Sequence, residues 1–381
     1  MLTLIKNADL YAPKHLGKND ILIAGEKVIA IDSNLNRFEN DAKVIDAKSK
    51  MVTPGFIDQH IHITGAGGKH GFASMTPEVS LSDLIKCGTT TVVGLSGTDG
   101  TTRDIRSLYA KARALEQEGI TAYLLCGYYG IDSLTITESI QSDMVFIDQV
   151  VGCKIAISDI RSSYPTALEL LRKLREVRVG GFTANKKGIL HVHLGNLDSG
   201  MDILFELVNH YKFPIQHISP THVGRSKKLF DQAIAFAKAG GSIDITTGAS
   251  QYTEPHKSVL YALEEGVSMD LMTFSSDGHA GLTRSDENGN YLGDKIAPFN
   301  TNFEQVVKLI QTGKVTAEEA LKLITSSPAK NLGLELKGHL AVGSDADLCF
   351  LDDNLKLTDV FARGKQMMKD NEVIIKGNFE Q

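Results

Sequence analysis

From residue 55 onward, short apolar runs alternate with longer segments of helical period, and that alternation leaves few folds open. The runs are 55–63 (GFIDQHIHI), 90–95 (TTVVGL), 121–128 (TAYLLCGY), 151–158 (VGCKIAIS), 189–194 (ILHVHL), 215–222 (IQHISPTH), 242–247 (SIDITT) and 271–277 (LMTFSSD). Between them, segments such as 103–118, 165–178, 201–211 and 226–239 carry apolar residues three and four apart, the spacing of one helix face. Gly88, Gly119, Gly240 and Gly266 stand where such helices would end in a left-handed cap. Eight strand-helix units over about 280 residues predict a (β/α)8 barrel. A doubly wound sheet needs fewer strands and a glycine-rich phosphate loop, and no GxGxxG follows any run. The segment Gly65-Ala66-Gly67-Gly68 lacks a Walker pattern and is expected to be a mobile loop at the barrel mouth.

The two ends follow a different grammar. Residues 1–52 hold short strand-like runs, residues 343–376 return to them, and no helix of useful length intervenes in either. Isolated hairpins are marginal, so the ends are expected to pair with each other into one small β-sandwich domain. The predicted organisation is therefore 1–52 and 336–381 as the two parts of that domain, and 53–335 as the barrel, finished by helical residues 303–334.

Charge and composition narrow the partners. A formal charge of −6 and the absence of polybasic runs argue against nucleic acid and anionic membrane surfaces, leaving small solutes. No stretch approaches the ~18 apolar residues that would span a bilayer, and the N-terminus lacks the order of a signal peptide, so a cytoplasmic location is expected. The four cysteines are scattered without a CxxC pair, which indicates neither a disulfide framework nor a thiolate zinc site.

In barrel enzymes the chemistry sits at the C-terminal ends of the strands. There this chain places His60 and His62, Lys154, His193, His222 and Asp277. Residues two apart in a strand share a face, so His60 and His62 can reach one ion. A lone histidine is more often a hydrogen-bonded core residue, but donors at five strand ends are hard to obtain by chance. Lys154 lies in an apolar strand, where desolvation lowers an amine's pKa. A neutral amine can take up carbon dioxide, and the carbamate would bridge two cations. The plainer reading is a salt-bridged lysine, with Asp159 as its partner.

The set His60-x-His62, Lys154, His193, His222 and Asp277 resembles the amidohydrolase superfamily. Within it, GFIDQHIH, TPEVSLSDLIKCGTTTVVGLSGTDG, VGCKIAISDIRSS, PTHVGR and GGSIDITTG resemble the isoaspartyl (β-aspartyl) dipeptidase family over most of residues 50–280. The resemblance implies two divalent metal ions, with zinc the expected metal. His60 and His62 would hold one, His193 and His222 the other, with carbamylated Lys154 bridging and Asp277 completing the first. It implies Asp277 as general base and then acid, Tyr129 as support for the developing oxyanion, and Arg161 and Arg225 as captors of substrate carboxylates. Thr98 and the Gly67 loop would contact substrate, and the assembly would be a homo-oligomer, an octamer in this family.

Two positions depart from the family pattern. Where the family has a glutamate that holds the substrate's free α-amino group, this chain has Lys69, and where it has a carboxylate-binding serine, this chain has Gly281. Glu78 and Glu254 are conceivable replacements for the missing acid. The expected activity is zinc-dependent hydrolysis of β-aspartyl dipeptides. The alternatives are hydrolysis of a cyclic amide (hydantoin or dihydroorotate) or of an N-acyl amino acid, and a barrel that only binds. Six converging ligand-type side chains argue against the last.

Overall fold

The computed structural model describes every residue except Met1, Ser250 and Gln381. The eight predicted runs are eight parallel strands: Phe56–Ile61, Thr89–Gly94, Thr121–Gly127, Val150–Ile157, Ile189–Leu194, Ile218–Thr221, Ile243–Thr246 and Met272–Ser275. Each pairs with the next in chain order. The eighth meets the first through backbone hydrogen bonds, Asp277 N–H to the His60 carbonyl at 3.1 Å and His62 N–H to the Gly278 carbonyl at 2.9 Å. The closing bonds therefore belong to predicted site residues.

Local chemistry accounts for the helices that wrap the barrel. Asp104 caps Ile105–Glu118 by accepting from Ser107 N–H, and Thr166 and Glu169 form a reciprocal capping box on Ala167–Thr183. Gly119, at φ 121°, ends the first of these where a side chain would be strained. The apolar faces of these helices (Leu108, Leu115, Leu170, Leu174) join the outward-facing strand residues in one continuous core.

The chain ends share one nine-stranded sheet. Met51–Pro54 pairs antiparallel with Leu348–Leu351, Val52 opposite Phe350, so N-terminal and C-terminal pieces meet side by side, as their common grammar implied. Strand alternation gives this sheet a core on each face: Ile5, Leu10, Ile21 and Phe350 on one, Leu4, Leu22 and Leu35 on the other. One two-stranded hairpin, Gly281–Ser285 with Tyr291–Ile296, has no counterpart in the sequence reading. Its strands are mostly exposed and mix polar with apolar residues without alternation, so periodicity gave no signal, although Asn288-Gly289 is a hairpin-type turn pair. Among the described residues no helix is long and apolar enough to cross a membrane, and the cysteines are free, three of the four buried.

Sheet and barrel are joined by a buried cation. Lys337 Nζ bonds Asp347 at 2.6 Å and Thr121 Oγ1, at the start of the third barrel strand, at 2.6 Å. It also pairs with Asp345 at 2.9 Å. Burial alone would lower the Lys337 pKa, but the two aspartates outweigh it and raise it. Removing the cation leaves carboxylates without a counter-charge, which costs more than the pair itself contributes. Lys337→Met is expected to lower unfolding stability by about 3 kcal/mol in urea denaturation; a loss below about 1 kcal/mol would show that this cluster does not tie the two parts together.

Candidate metal centre

All six predicted ligands are buried and face one point at the C-terminal end of the barrel. Asp277 Oδ1 lies 3.2 Å from His62 Nε2 and 3.3 Å from His60 Nε2. The donor atoms of His60, His62 and Asp277 fall within 4.8 Å of one another, compact enough to hold a metal ion. Lys154 Nζ is 3.1 Å from His60 Nε2. His222 sits beside His60, ring centroids 4.9 Å apart, and 4.5 Å from His193. His62 lies just past the end of its strand, kept in line by its bond to Gly278. His222 (φ 64°) and Asp277 (φ 54°) adopt left-handed backbone, which costs a side-chain-bearing residue on the order of 1–3 kcal/mol. That strain aims both side chains inward where their strands end.

Three of the four rings are anchored by further contacts, whereas His62 Nδ1 is buried without a hydrogen-bond partner among the described residues. His60 Nδ1 is 2.9 Å from His191 Nε2, and His222 Nδ1 is 2.6 Å from Thr246 Oγ1. His193 Nε2 is 3.0 Å from Asp159, and its Nδ1 is 2.8 Å from the Tyr129 hydroxyl. Such contacts fix ring orientation; in His193 both nitrogens are engaged, so an ion there would take the place of one of these partners. Behind His191 runs a buried polar chain: Ser219 at 3.2 Å, then Asn331, Gln59 and Asp244.

Electrostatics put the donors in ligand form. Burial, reinforced by Lys154, pushes His60 down to about 3. Burial also lowers His62, and holds His193 and His222 well below the ordinary histidine value. The imidazoles are thus neutral at physiological pH, as metal ligation requires. Burial would raise Asp277, but His222, His60 and His62 hold it well below the carboxylate range. Burial brings Lys154 down to about 7, against the opposing pull of Asp277, so much of its amine is uncharged near neutral pH. The donor set fits a divalent metal centre.

One cavity of about 200 Å³ adjoins these groups, lined in part by His62, His193 and Asp277. The seven residues read as substrate-facing, Gly67, Lys69, Thr98, Tyr129, Arg161, Arg225 and Gly281, all line it. Burial raises the Tyr129 pKa, so its phenol keeps its proton and can donate. Arg161 stacks over the Tyr129 ring at 5.3 Å.

Comparison with known proteins now decides the family. The amidohydrolase family pattern matches residues 51–379. The chain belongs to the amidohydrolase family. Among solved amidohydrolase structures it is similar to the β-aspartyl dipeptidase of Fervidobacterium islandicum AW-1 in complex with β-Asp-Leu, with 40% identity over 100% of both chains and a TM-score of 0.92. A dihydropyrimidinase from Brevibacillus agri, 18% identical over 99% of this chain and 97% of that one with a TM-score of 0.71, shares the fold. Among curated relatives, the dihydroorotase of Lactobacillus johnsonii is 26% identical over 400 residues, 92% of this chain and 89% of that protein.

Three readings of individual residues need correction. Asp159 is not the partner of Lys154: it grips Arg161 through two hydrogen bonds of 2.9 and 2.6 Å and reaches His193. Glu78 pairs with Lys111, and Glu254 with Lys308 and Lys257, and neither lines the cavity. The glycine loop does lie at the mouth, but it is tied down by Thr76, whose hydroxyl accepts from Ala66 N–H at 2.7 Å. His191, absent from the predicted set, was findable, because His191-x-His193 repeats the spacing of His60-x-His62.

Gly281 has a packing reason. A Cβ there would lie 2.8 Å from Gly67 Cα, so the hairpin and the glycine loop touch where a side chain would intrude. Gly281→Ser is expected to displace Gly67 in a crystal structure and to cost about 1–3 kcal/mol of stability. An unmoved loop with an unchanged melting temperature would refute this account.

Proposed function

We propose that this amidohydrolase cleaves the β-aspartyl bond of dipeptides in a binuclear metal site. The observation that carries the reading is the full-length likeness to a β-aspartyl dipeptidase, 40% identical with a TM-score of 0.92, whose structure holds β-Asp-Leu. His60 and His62 would hold one ion with Asp277, and His193 and His222 the second. Between the pairs Lys154, as the neutral amine, would add to carbon dioxide, release a proton and present two carbamate oxygens. Bound divalent ions, zinc being the favoured pair, supply Lewis acidity toward the scissile carbonyl and acidify water to near neutral pH.

The protein groups would do the rest. Asp277, held ionised, accepts a proton from the attacking water and returns it to the leaving amine nitrogen. The Tyr129 hydroxyl donates toward the carbonyl oxygen as it gains charge. Arg225, whose Nε is buried without a hydrogen-bond partner among the described residues, is suited to a substrate carboxylate, and Arg161, held in place by Asp159, would offer its remaining N–H groups to the second. Thr98, Gly67 and Gly281 shape the wall.

A second reading has its own support. The curated relatives are dihydroorotases matching over nearly the whole chain at 23–26% identity. A panel of β-Asp-Leu, β-Asp-His, their α-linked isomers, dihydroorotate, a hydantoin and an N-acetyl amino acid separates the two. We expect turnover of the β-linked dipeptides only, with about two metal ions per chain by elemental analysis; ring opening without β-aspartyl cleavage would favour the second reading. Lys154→Ala is expected to lose tight metal binding and activity together, with partial rescue by short carboxylic acids. Full metal content in the unrescued variant would rule out the bridging carbamate.

A further inference from the structure

The cavity's lining charge is mostly of one sign. Lys69, Arg161 and Arg225 line it together, and Asp277 is the one carboxylate among the described lining residues. Asp277 is engaged with His60 and His62. The nearest other carboxylates are also committed: Asp159 to Arg161 and His193, Asp294 to His70 and the Tyr291 hydroxyl. Arg161 is balanced by Asp159, so an incoming ammonium group would meet two unpaired cations, Lys69 and Arg225, and no free acid among the described lining residues.

Lys69 lines the rim of the cavity, and its backbone is placed by its neighbours. Gly68 N–H bonds the Ser74 carbonyl at 3.2 Å, and His70 is pinned to Asp294 on the facing hairpin at 2.8 Å. Burial, then Arg161 and Arg225, lower the Lys69 pKa, so its amine already feels both guanidinium groups. An anion there relieves that repulsion, and a cation adds to it.

We propose that Lys69 sets this site to prefer amides whose acyl half carries a carboxylate but no ammonium, making N-succinyl amino acids better substrates than β-aspartyl dipeptides. The proposal rests on the reading that the site hydrolyses this type of amide bond. N-succinyl-leucine is β-Asp-Leu without its α-amine, with the same scissile bond and the same two carboxylates. In its hydrolysis the amide C–N bond breaks, water gives hydroxyl to the acyl carbon and a proton to nitrogen, and succinate and leucine leave.

The test measures kcat/KM for N-succinyl-leucine and β-Asp-Leu with the metal-loaded wild-type enzyme, Lys69→Met and Lys69→Glu. The wild type is expected to favour N-succinyl-leucine by about tenfold, a modest factor because the rim is wet. Lys69→Met should erase the preference, and Lys69→Glu should reverse it by lowering KM for β-Asp-Leu. Wild-type preference for β-Asp-Leu, or a ratio unchanged in Lys69→Glu, overturns the proposal and leaves β-aspartyl cleavage standing. Cleavage of neither compound overturns both.

Discussion

Everything at this site hangs on the seam where the eighth barrel strand meets the first. An open sheet would leave two edges of unpaired N–H and C=O groups, and the barrel removes them by closing. The bonds that close it are made by the backbones of His60, His62, Asp277 and Gly278. The same bonds bring the Asp277 carboxylate against two imidazoles. Closure of the fold and assembly of the donor cluster are one event, and any register error at the seam would open the barrel and scatter the cluster together.

That geometry is tolerable because its electrostatics are arranged to be incomplete. Four imidazoles, a histidine behind them and a lysine are buried together, and burial is the largest cause acting on every one of their pKa values. Charged, they would repel one another; neutral, they are a set of lone pairs awaiting a cation. The protein holds three of these rings with further bonds, His60 from His191, His222 from Thr246 and His193 from Asp159. The polar chain from Ser219 to Asp244 lets the His191 ring be buried without orphaned nitrogens.

The barrel and the donor side chains gathered at its mouth were legible because both obey short-range rules: apolar runs of fixed length, and polar side chains at strand ends. What was illegible depends on residues distant in sequence. Asp159 looked like a partner for Lys154 because it is five residues away, yet Lys154 points into the barrel while Asp159 lies past the strand end and turns to Arg161 and His193. Glu78 and Glu254 were attractive only as acids in a charge count, and each is spent on surface lysines. The hairpin at 281–296 mixes polar residues with exposed apolar ones such as Tyr291 and Leu292, so no clean alternation announced it. Gly281 could be seen as a departure, but its cause is a backbone contact with Gly67, more than two hundred positions earlier.

The pairing of Met51–Pro54 with Leu348–Leu351 also sets a schedule for the newborn chain. The first strands leave the ribosome early, but the neighbour that Met51–Pro54 needs follows about 300 residues later, on the order of tens of seconds at ordinary synthesis rates. Through that interval the N-terminal strands present an unfilled edge of buried-type residues such as Val52. The whole barrel is made while that edge waits. Final locking of the terminal sheet, and of the Lys337 cluster beneath it, therefore cannot precede synthesis of Leu348–Leu351.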